Sequence, residues 1–368
     1  MGSATPSQAP VISAWAAISP MGMSGEDFSA GLSAGRRPVS ALDGEWPGPA
    51  GQACLVPGFT IKEVLGRKGT RSMDRATGLA VTAVRSLLGG DGGERIQGVG
   101  EDTGLVLGTS TGSAQSIMDF TRDSLVGEKP FFVDPARFPN TVMNCAAGQC
   151  AIWHRLKGPN TTIAGGRASG LLALQYALRL QKSKRVQTML CGAVEELSPA
   201  RSWLDWHSRD GEEDSEPLGE GAAVVLLESG EAAARGGRTG VAEVLGLEFG
   251  FHWEAGEIRP VLADCVRRLL QRCGVASQDV ASVAYSGTAE HRGLLERLAV
   301  RDALAGHEPA AVPCAELIGD TCAASAAFQI AAVLARAEEQ GTGAPGSVAL
   351  VTSVDRDGVI GAALLRTA

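Results

Sequence analysis

The chain alternates between short, nearly continuous apolar runs and longer segments in which apolar positions recur three and four residues apart. Short runs bounded by turn residues predict buried strands, and the longer pattern predicts helices that pack on them. The predicted strands cover residues 9–18, the start of 103–113, 161–164, 186–195, 218–229, 280–288, 347–354 and 359–366. The predicted helices cover residues 25–38, 72–88, 170–181, 259–273, 291–304 and 320–340.

This alternation predicts an α/β fold built from two strand-and-helix halves. A Gly- and Arg-rich stretch at residues 230–240 is the expected boundary between an N-terminal half, 11–235, and a C-terminal half, 236–368. The last two strands should pair as a hairpin through an Asp357-Gly358 turn. Similar halves in one chain indicate a pseudo-duplicated fold.

Composition excludes several classes of function. The chain has 368 residues and a net charge of −8, which argues against a nucleic-acid surface or an anionic-membrane surface. Its cysteines form no C-x-x-C pair and have mostly apolar neighbours, so we expect reduced core thiols and a cytoplasmic protein. These cysteines are Cys54, Cys145, Cys150, Cys191, Cys265, Cys273, Cys314 and Cys322.

The sequence predicts no membrane segment, metal or cofactor. Residues 1–10 lack the charged and apolar regions of a secretory leader and are expected to form a flexible tail, and no apolar run reaches membrane-spanning length. The histidines are not spaced like metal ligands and are expected to be surface or core residues. They are His154, His207, His252, His291 and His307.

Residues 160–177 follow the pattern of an enzyme's nucleophile turn, in which an apolar strand, two glycines and a small-residue helix start present one polar side chain. Here that side chain is Arg167. A guanidinium stays protonated at neutral pH and offers no lone pair, so it cannot act as a nucleophile. The positive end of the helix dipole also repels it, so Arg167 needs compensation.

Most of the chain, from Val11 to about Leu365, resembles the β-ketoacyl synthase family, which has the thiolase fold with two pseudo-duplicated halves in αβαβα layers. Five landmarks occur in the family's order, and together they are specific. They are "VISAWAAISPMGMSGEDFSAGLSAGR", "SMDRATGLAV", "GLVLGTSTGS", "FPNTVMNCAAGQCAIWHRLKGPNTTIAGGRASG" and "LGEGAAVVLLES".

The resemblance implies that the catalytic positions are degenerate. The family's cysteine stands seven residues after the Asn of a Gly-Pro-Asn turn, and Arg167 occupies that position. The family's two catalytic histidines correspond to Ser286 and Asp320, and its lysine corresponds to Ala315. The family's Gly-Phe-Gly-Gly loop corresponds to residues 353–358, which contain no Phe gate. No condensing activity of the isolated chain is therefore expected.

In the parent fold these catalytic positions surround one small cavity. We therefore predict an ion pair between Arg167 and Asp320, with Ser286 as a further partner, that fills the former active site. The alternative is that Arg167 extends to solvent along the old entrance.

A chain with the ketosynthase fold but without the catalytic residues resembles the chain-length factor, which is the inactive partner of a catalytic ketosynthase in bacterial type II polyketide synthases. The resemblance implies a ketosynthase partner and an acyl carrier protein that carries the growing chain, and the net charge of −8 argues against nucleic acids and membranes as partners. The short chain and the altered loop at 208–221 favour the subunits that partner polyene-forming, highly reducing ketosynthases.

The segment before the nucleophile turn crosses the dimer interface in this family. For each candidate residue of this segment, a place in the interface and the acyl tunnel and simple packing in the core are equally good interpretations. These residues are Phe131, Phe132, Val133, Phe138, Met143 and Asn144. Two other functions stay open: a homodimeric enzyme that performs a different acyl transfer or binds a carboxylate substrate at Arg167, and a scaffold that docks an acyl carrier protein.

Overall fold

The computed structural model describes residues 9–42, 46–89, 95–209, 216–287, 290–339 and 346–368. Its strands are β1 (Pro10–Ile18), β2 (Ser40–Ala41), β3 (Gln52–Cys54), β4 (Gly104–Gly108), β5 (Asn160–Ile163), β6 (Thr188–Glu195), β7 (Leu218–Gly219), β8 (Gly221–Ser229), β9 (Ala242–Phe251), β10 (Val280–Ala284), β11 (Ala310–Ala311), β12 (Val348–Val354) and β13 (Val359–Thr367). Its α-helices are α1 (Gly25–Ser33), α2 (Ile61–Val64), α3 (Arg75–Leu87), α4 (Ala114–Val126), α5 (Cys145–His154), α6 (Ser169–Lys182), α7 (Pro199–His207), α8 (Gly230–Arg235), α9 (Ile258–Cys273), α10 (Glu290–Ala303), α11 (Ala315–Ile318) and α12 (Ser325–Glu339).

Most strands join one sheet in the order β11-β10-β12-β13-β9-β1-β8-β6-β4-β5. The sheet consists of two halves that meet where β1 pairs with β9. Outward from this centre, the order β9, β13, β12, β10, β11 in one half repeats the order β1, β8, β6, β4, β5 in the other, with the same strand orientations. Two halves with the same topology in one sheet confirm the predicted pseudo-duplication. A small sheet, β2-β3-β7, lies apart from this one.

The helices form three layers around the two halves of the sheet. Helices α6 and α12 lie in the middle, where α6 contacts β4, β6 and β13, and α12 contacts β8 and β12. On one outer face α3 packs on β1 and β8, and on the other α9 packs on β9 and β13. Separate apolar clusters fill the central layer and each outer layer. The result is the expected αβαβα arrangement.

Local sequence signals explain several boundaries. The side chains of Ser24, Asp74 and Ser113 each accept a backbone N–H in the first turn of the helix that follows them. The last two strands pair antiparallel, with Val348 opposite Arg366 and with a turn at residues 355–358, so the predicted hairpin is confirmed.

Several predicted elements are shorter than the hydrophobic pattern indicated: α1 ends at Ser33 and α3 spans Arg75–Leu87, and two further elements are shortened where polar contacts interrupt them. The backbone of Asp320 pairs with the segment that contains Leu218, so the helix expected from residue 320 starts only at Ser325. The strand expected at 280–288 ends at Ala284, and the N–H of Ser286 donates to Glu296 instead of to a neighbouring strand. A backbone bridge to a distant segment at Asp320 and a side-chain acceptor at Ser286 therefore replace the regular hydrogen bonds of the predicted elements.

The predicted tail and the altered loop fall partly on residues that are not described. Residues 1–8 of the tail and residues 210–215 of the loop lie outside the described residues, and β1 begins at Pro10. Among the described residues no helix is both long and apolar enough to cross a membrane.

The close crossing of α6 and α12 gives a test of the central layer. A Cβ added at Gly170 in α6 would lie 2.6 Å from the backbone N of Ala327 in α12, whereas a Cβ at Gly148 in α5 would meet no atom. Ala is favoured over Gly inside helices by about 1 kcal/mol, so Gly148→Ala should stabilise the chain. Gly170→Ala should lower the free energy of unfolding by about 2 kcal/mol because the helices must move apart. Urea unfolding of the two variants measures both effects, and equal stabilisation by both would contradict the close crossing.

Candidate functional site

The turn between β5 and α6 presents Arg167 as the sequence pattern predicted. Gly166 has a φ of +53°, and a 3-10 turn at Gly166–Ala168 leads directly into α6. The hydroxyl of Ser169 accepts the N–H of Gly165 at 2.9 Å and donates to the carbonyl of Gly166 at 2.7 Å. These bonds fix Arg167 at the N-terminal end of the helix.

The guanidinium of Arg167 forms an ion pair with the carboxylate of Asp320. Its other terminal nitrogen lies 3.5 Å from the carbonyl of Ser286 and 3.5 Å from the hydroxyl of Ser325. The side chains of the pair are only 14% and 16% exposed. The predicted ion pair is therefore present, and the alternative in which Arg167 extends to solvent is wrong.

Asp320 is held from several sides. The N–H of Cys322 donates to its second carboxylate oxygen at 2.7 Å, and buried Arg201 donates to its backbone carbonyl at 2.8 Å. Burial acts to raise the pKa of the Asp320 carboxyl, but Arg167, Arg201 and the Cys322 N–H outweigh it and leave the pKa below its ordinary value. Asp320 is thus an anion matched to Arg167 at neutral pH.

Ser286 lies at the site through its backbone and not through its hydroxyl. The hydroxyl donates to Glu296 at 2.7 Å, and the N–H of Ser286 donates to the same carboxylate at 3.0 Å. Burial raises the pKa of Glu296. Ser286 therefore accompanies the ion pair as expected, but only through its carbonyl oxygen, which faces Arg167. Ala315 opens α11, and its methyl group leaves no room for a Cβ on Gly287.

A second carboxylate reaches the turn from the loop between β12 and β13. Asp355 is 4% exposed, and one of its oxygens accepts the backbone N–H of Arg167 at 2.6 Å. The imidazole of buried His252 donates to the carbonyl of Asp355 at 2.9 Å. Asp355 lies in residues 353–358, which correspond to the family's Gly-Phe-Gly-Gly loop, but no sequence signal predicted its bond to Arg167. The same is true of the contact between Arg201 and Asp320.

Among the described residues around Arg167, no activated nucleophile is present. Burial raises the pKa of the neighbouring Cys322 thiol well above its ordinary value, so the thiol stays protonated. His154 and His307 each bond a backbone carbonyl, as His252 does, while His207 stacks on Trp203. Within the described ranges, no group of three or more His, Cys, Asp or Glu side chains is placed to hold a metal ion.

The candidate interface segment is exposed on the surface of the single chain. Phe131, Phe132, Phe138 and Met143 are 70%, 56%, 58% and 48% exposed. Core packing, the alternative weighed for this segment, is therefore wrong for these four side chains. Asn144 is also exposed, and Val133 is half-buried.

These residues belong to a larger patch, which we call the apolar face. The ring centroids of Phe120 and Phe138 lie 5.9 Å apart, and this contact joins α4 to the 3-10 helix at Pro135–Thr141. The 3-10 helix in turn packs on α5. Helix α5 lies against β5, and β5 is the last strand of the large sheet. The apolar face consists of the exposed side chains Met118, Leu125, Val126, Phe131, Phe132, Phe138, Val142, Met143 and Ile152.

The family model described as "Beta-ketoacyl synthase, N-terminal domain" matches residues 10–233, which is more than half of the chain. The chain belongs to the β-ketoacyl synthase family. Arg167, in the turn before α6, lies within the matched residues, whereas Asp320 and Asp355 lie beyond them.

Individual relatives agree with this assignment. A chain of the solved structure titled "The ishigamide ketosynthase/chain length factor" is 42% identical, covers 98% of this chain and 99% of its own length, and has a TM-score of 0.89. A chain of a type II polyketide synthase ketosynthase in complex with its acyl carrier protein shares the fold, with 18% identity, coverage of 99% and 100%, and a TM-score of 0.80. The 3-oxoacyl-[acyl-carrier-protein] synthase 2 of Rhizobium meliloti (strain 1021) is 28% identical over 54% of this chain. That match spans about half of the relative, 52% of its length.

Removal of Asp320 from this ketosynthase-like site should be costly. Asp320→Ala leaves the largely buried guanidinium without a carboxylate, so we expect the free energy of unfolding to fall by about 3 kcal/mol at pH 7. The folded pKa of Asp320 lies below its unfolded value, so its contribution is present above the unfolded pKa and is lost as pH falls through the folded pKa. Urea unfolding at pH 7 and in strongly acidic solution should show the difference from wild type shrinking in acid.

Asp264→Ala is the matched control for this prediction. Asp264 pairs with Arg268 on the surface and is 57% exposed, so its loss should change stability by less than about 0.5 kcal/mol. Equal effects of the two substitutions at pH 7 would show that the Arg167–Asp320 pair carries no special weight.

Proposed function

We propose that this chain is a non-catalytic chain-length factor that pairs with an active ketosynthase in a bacterial type II polyketide synthase. One observation carries the proposal: the nucleophile turn holds Arg167, and Asp320 neutralises its guanidinium within the chain. Condensation requires an activated nucleophile that accepts the acyl group. A paired guanidinium has no lone pair to offer, so this turn cannot accept an acyl chain.

The other degenerate positions support the same conclusion. Where the family's histidines would polarise the carbonyl of the extender unit, this chain has Ser286 and Asp320. The hydroxyl of Ser286 donates to Glu296, and Asp320 is an anion that would repel a developing enolate. The same ion pair weakens the alternative in which Arg167 binds a substrate carboxylate, because Asp320 already occupies the guanidinium.

The apolar face supports a role in assembly. Single exposed apolar side chains are common on proteins, but many of them on α4, α5 and the segment between these helices, beside an edge strand, fit an interface with another subunit. We infer that a catalytic ketosynthase covers this face, and that Phe131, Phe132, Val133, Phe138 and Met143 form part of the interface and of the wall of its acyl tunnel. Asn144 lies at the end of the same segment, next to α5.

The comparisons support the choice of partners. The relative at 42% identity comes from a structure whose title names a ketosynthase and a chain length factor, and another neighbour's title names a type II acyl carrier protein with its ketosynthase. We infer that the partner of this chain is a ketosynthase, and that an acyl carrier protein delivers the growing chain to the pair. The altered loop at residues 208–221 leads us to expect a polyene-forming, highly reducing system.

Co-expression with the nearest intact ketosynthase encoded in the same genome tests the proposal. The tagged chain should co-purify with that ketosynthase as a one-to-one heterodimer, measured by native mass spectrometry. The heterodimer should extend a carrier-bound acyl chain, and neither subunit should do so alone. A stable homodimer that ignores the ketosynthase would instead support a separate enzyme, if the chain turns over substrate, or a scaffold, if it only binds carrier protein.

Two single substitutions locate the interface. Phe138→Arg places a charge in the apolar face and should reduce co-purification of the ketosynthase at least tenfold, because an unpaired charge would be buried on association. Leu294→Arg is the control, since Leu294 is 48% exposed on α10, in the outer layer of the other half. Loss of co-purification with Leu294→Arg but not with Phe138→Arg would place the interface elsewhere.

A further inference from the structure

The backbone N–H of Arg167 has a partner of its own, separate from the ion pair of its side chain. A carboxylate oxygen of Asp355 accepts this N–H at 2.6 Å, and the other oxygen accepts the N–H of Asp357 at 2.8 Å. A Cβ on Gly166 would overlap the Asp355 carboxylate, so only glycine leaves room for this contact. The nucleophile turn is therefore closed by two carboxylates that act on different atoms of one residue.

The backbone N–H of Arg167 occupies a position where it could stabilise an anion. It lies where the turn enters α6, and backbone N–H groups at a helix N-terminus attract negative charge. Such a group beside a nucleophile can stabilise a thiolate or the oxyanion that forms when an acyl carbonyl is attacked. Here the N–H is already bonded to an anion that belongs to the protein.

Asp355 is held in this position from both ends of its loop. His252 donates to its carbonyl, and the N–H of His252 donates to the carbonyl of Gly358 at 2.9 Å. Beside it, Arg356 donates to Asp205 at 3.0 Å and to the hydroxyl of Ser208 at 2.7 Å, which ties the turn to α7 and its C-terminal end. The carboxylate is thus a fixed occupant of the site.

We propose that Asp355 is a built-in anionic ligand of the Arg167 N–H, and that it blocks anion stabilisation at this turn independently of Arg167's side chain. The proposal deepens the non-catalytic assignment and rests on it for the identity of the turn. It implies that a cysteine placed at position 167 would not become a reactive thiolate. The backbone N–H of that residue would stay bonded to Asp355, and a thiolate would be a second negative charge beside the Asp355 carboxylate.

The reactivity of a thiol at position 167 tests this proposal in the full-length chain. R167C and R167C/D355N are treated with iodoacetamide between pH 6 and pH 10, and alkylation of the peptide that contains position 167 is followed by mass spectrometry. The amide that D355N introduces keeps one oxygen that can accept a backbone N–H but carries no negative charge. We expect D355N to lower the pKa of the introduced thiol by about one unit and to raise alkylation near pH 7 about tenfold.

R167C/D357N is the matched control, because Asp357 is an exposed carboxylate in the same turn. It should alkylate within about twofold of R167C. If loss of the partner of Asp320 prevents folding, the same set is made with D320N present throughout. Equal thiol pKa values with and without D355N, or an equal shift with D357N, would overturn the proposal. Neither result depends on the ketosynthase, so failure here would leave the heterodimer test unaffected.

Discussion

A cation at the N-terminus of a helix is the constraint on which this site depends. Arg167 stands where the helix dipole of α6 favours negative charge, and its side chain is largely buried. Such a group is tolerated only when carboxylates surround it. Asp320 neutralises its guanidinium and Asp355 bonds its N–H. Arg201, which lies 4.0 Å from Glu195, holds the backbone of Asp320 in turn.

The duplicated topology explains why these groups meet. The 3-10 turn that precedes α6 has a counterpart at Cys322–Ala324, which precedes α12 in the other half. The two central helices therefore direct their N-terminal ends toward one place, and Asp320 lies just before the second turn. Glu195 accepts the N–H of Ala323 at 3.3 Å at that second end. The N-terminal ends of two helices, which could stabilise negative charge during acyl transfer, here lie next to carboxylates and an arginine of the same chain.

The fold was predictable because its strands are nearly all apolar and its helices have a regular period. The resemblance placed Arg167 and Asp320 at catalytic positions around one cavity, and the need to neutralise a buried cation then predicted their ion pair. Which group of Ser286 faces Arg167 was not predicted: its hydroxyl donates to Glu296 in α10, and its carbonyl lies 3.5 Å from the guanidinium. The bond from Asp355 to the Arg167 N–H could not be predicted, since a backbone donor leaves no trace in the side-chain pattern. The exposure of Phe131 and Phe132 could not be predicted either, because an apolar loop has the same sequence pattern whether it is buried in a core or exposed on a surface.

Intact mass spectrometry of the heterodimer tests most directly the claim that this chain contributes shape and not chemistry. The purified pair is incubated with an acyl-carrier thioester, and the masses of both subunits are measured before and after treatment with hydroxylamine, which cleaves thioesters. The account predicts an acyl group on the ketosynthase subunit and an unchanged mass for this chain. A hydroxylamine-sensitive acyl group on this chain would contradict it.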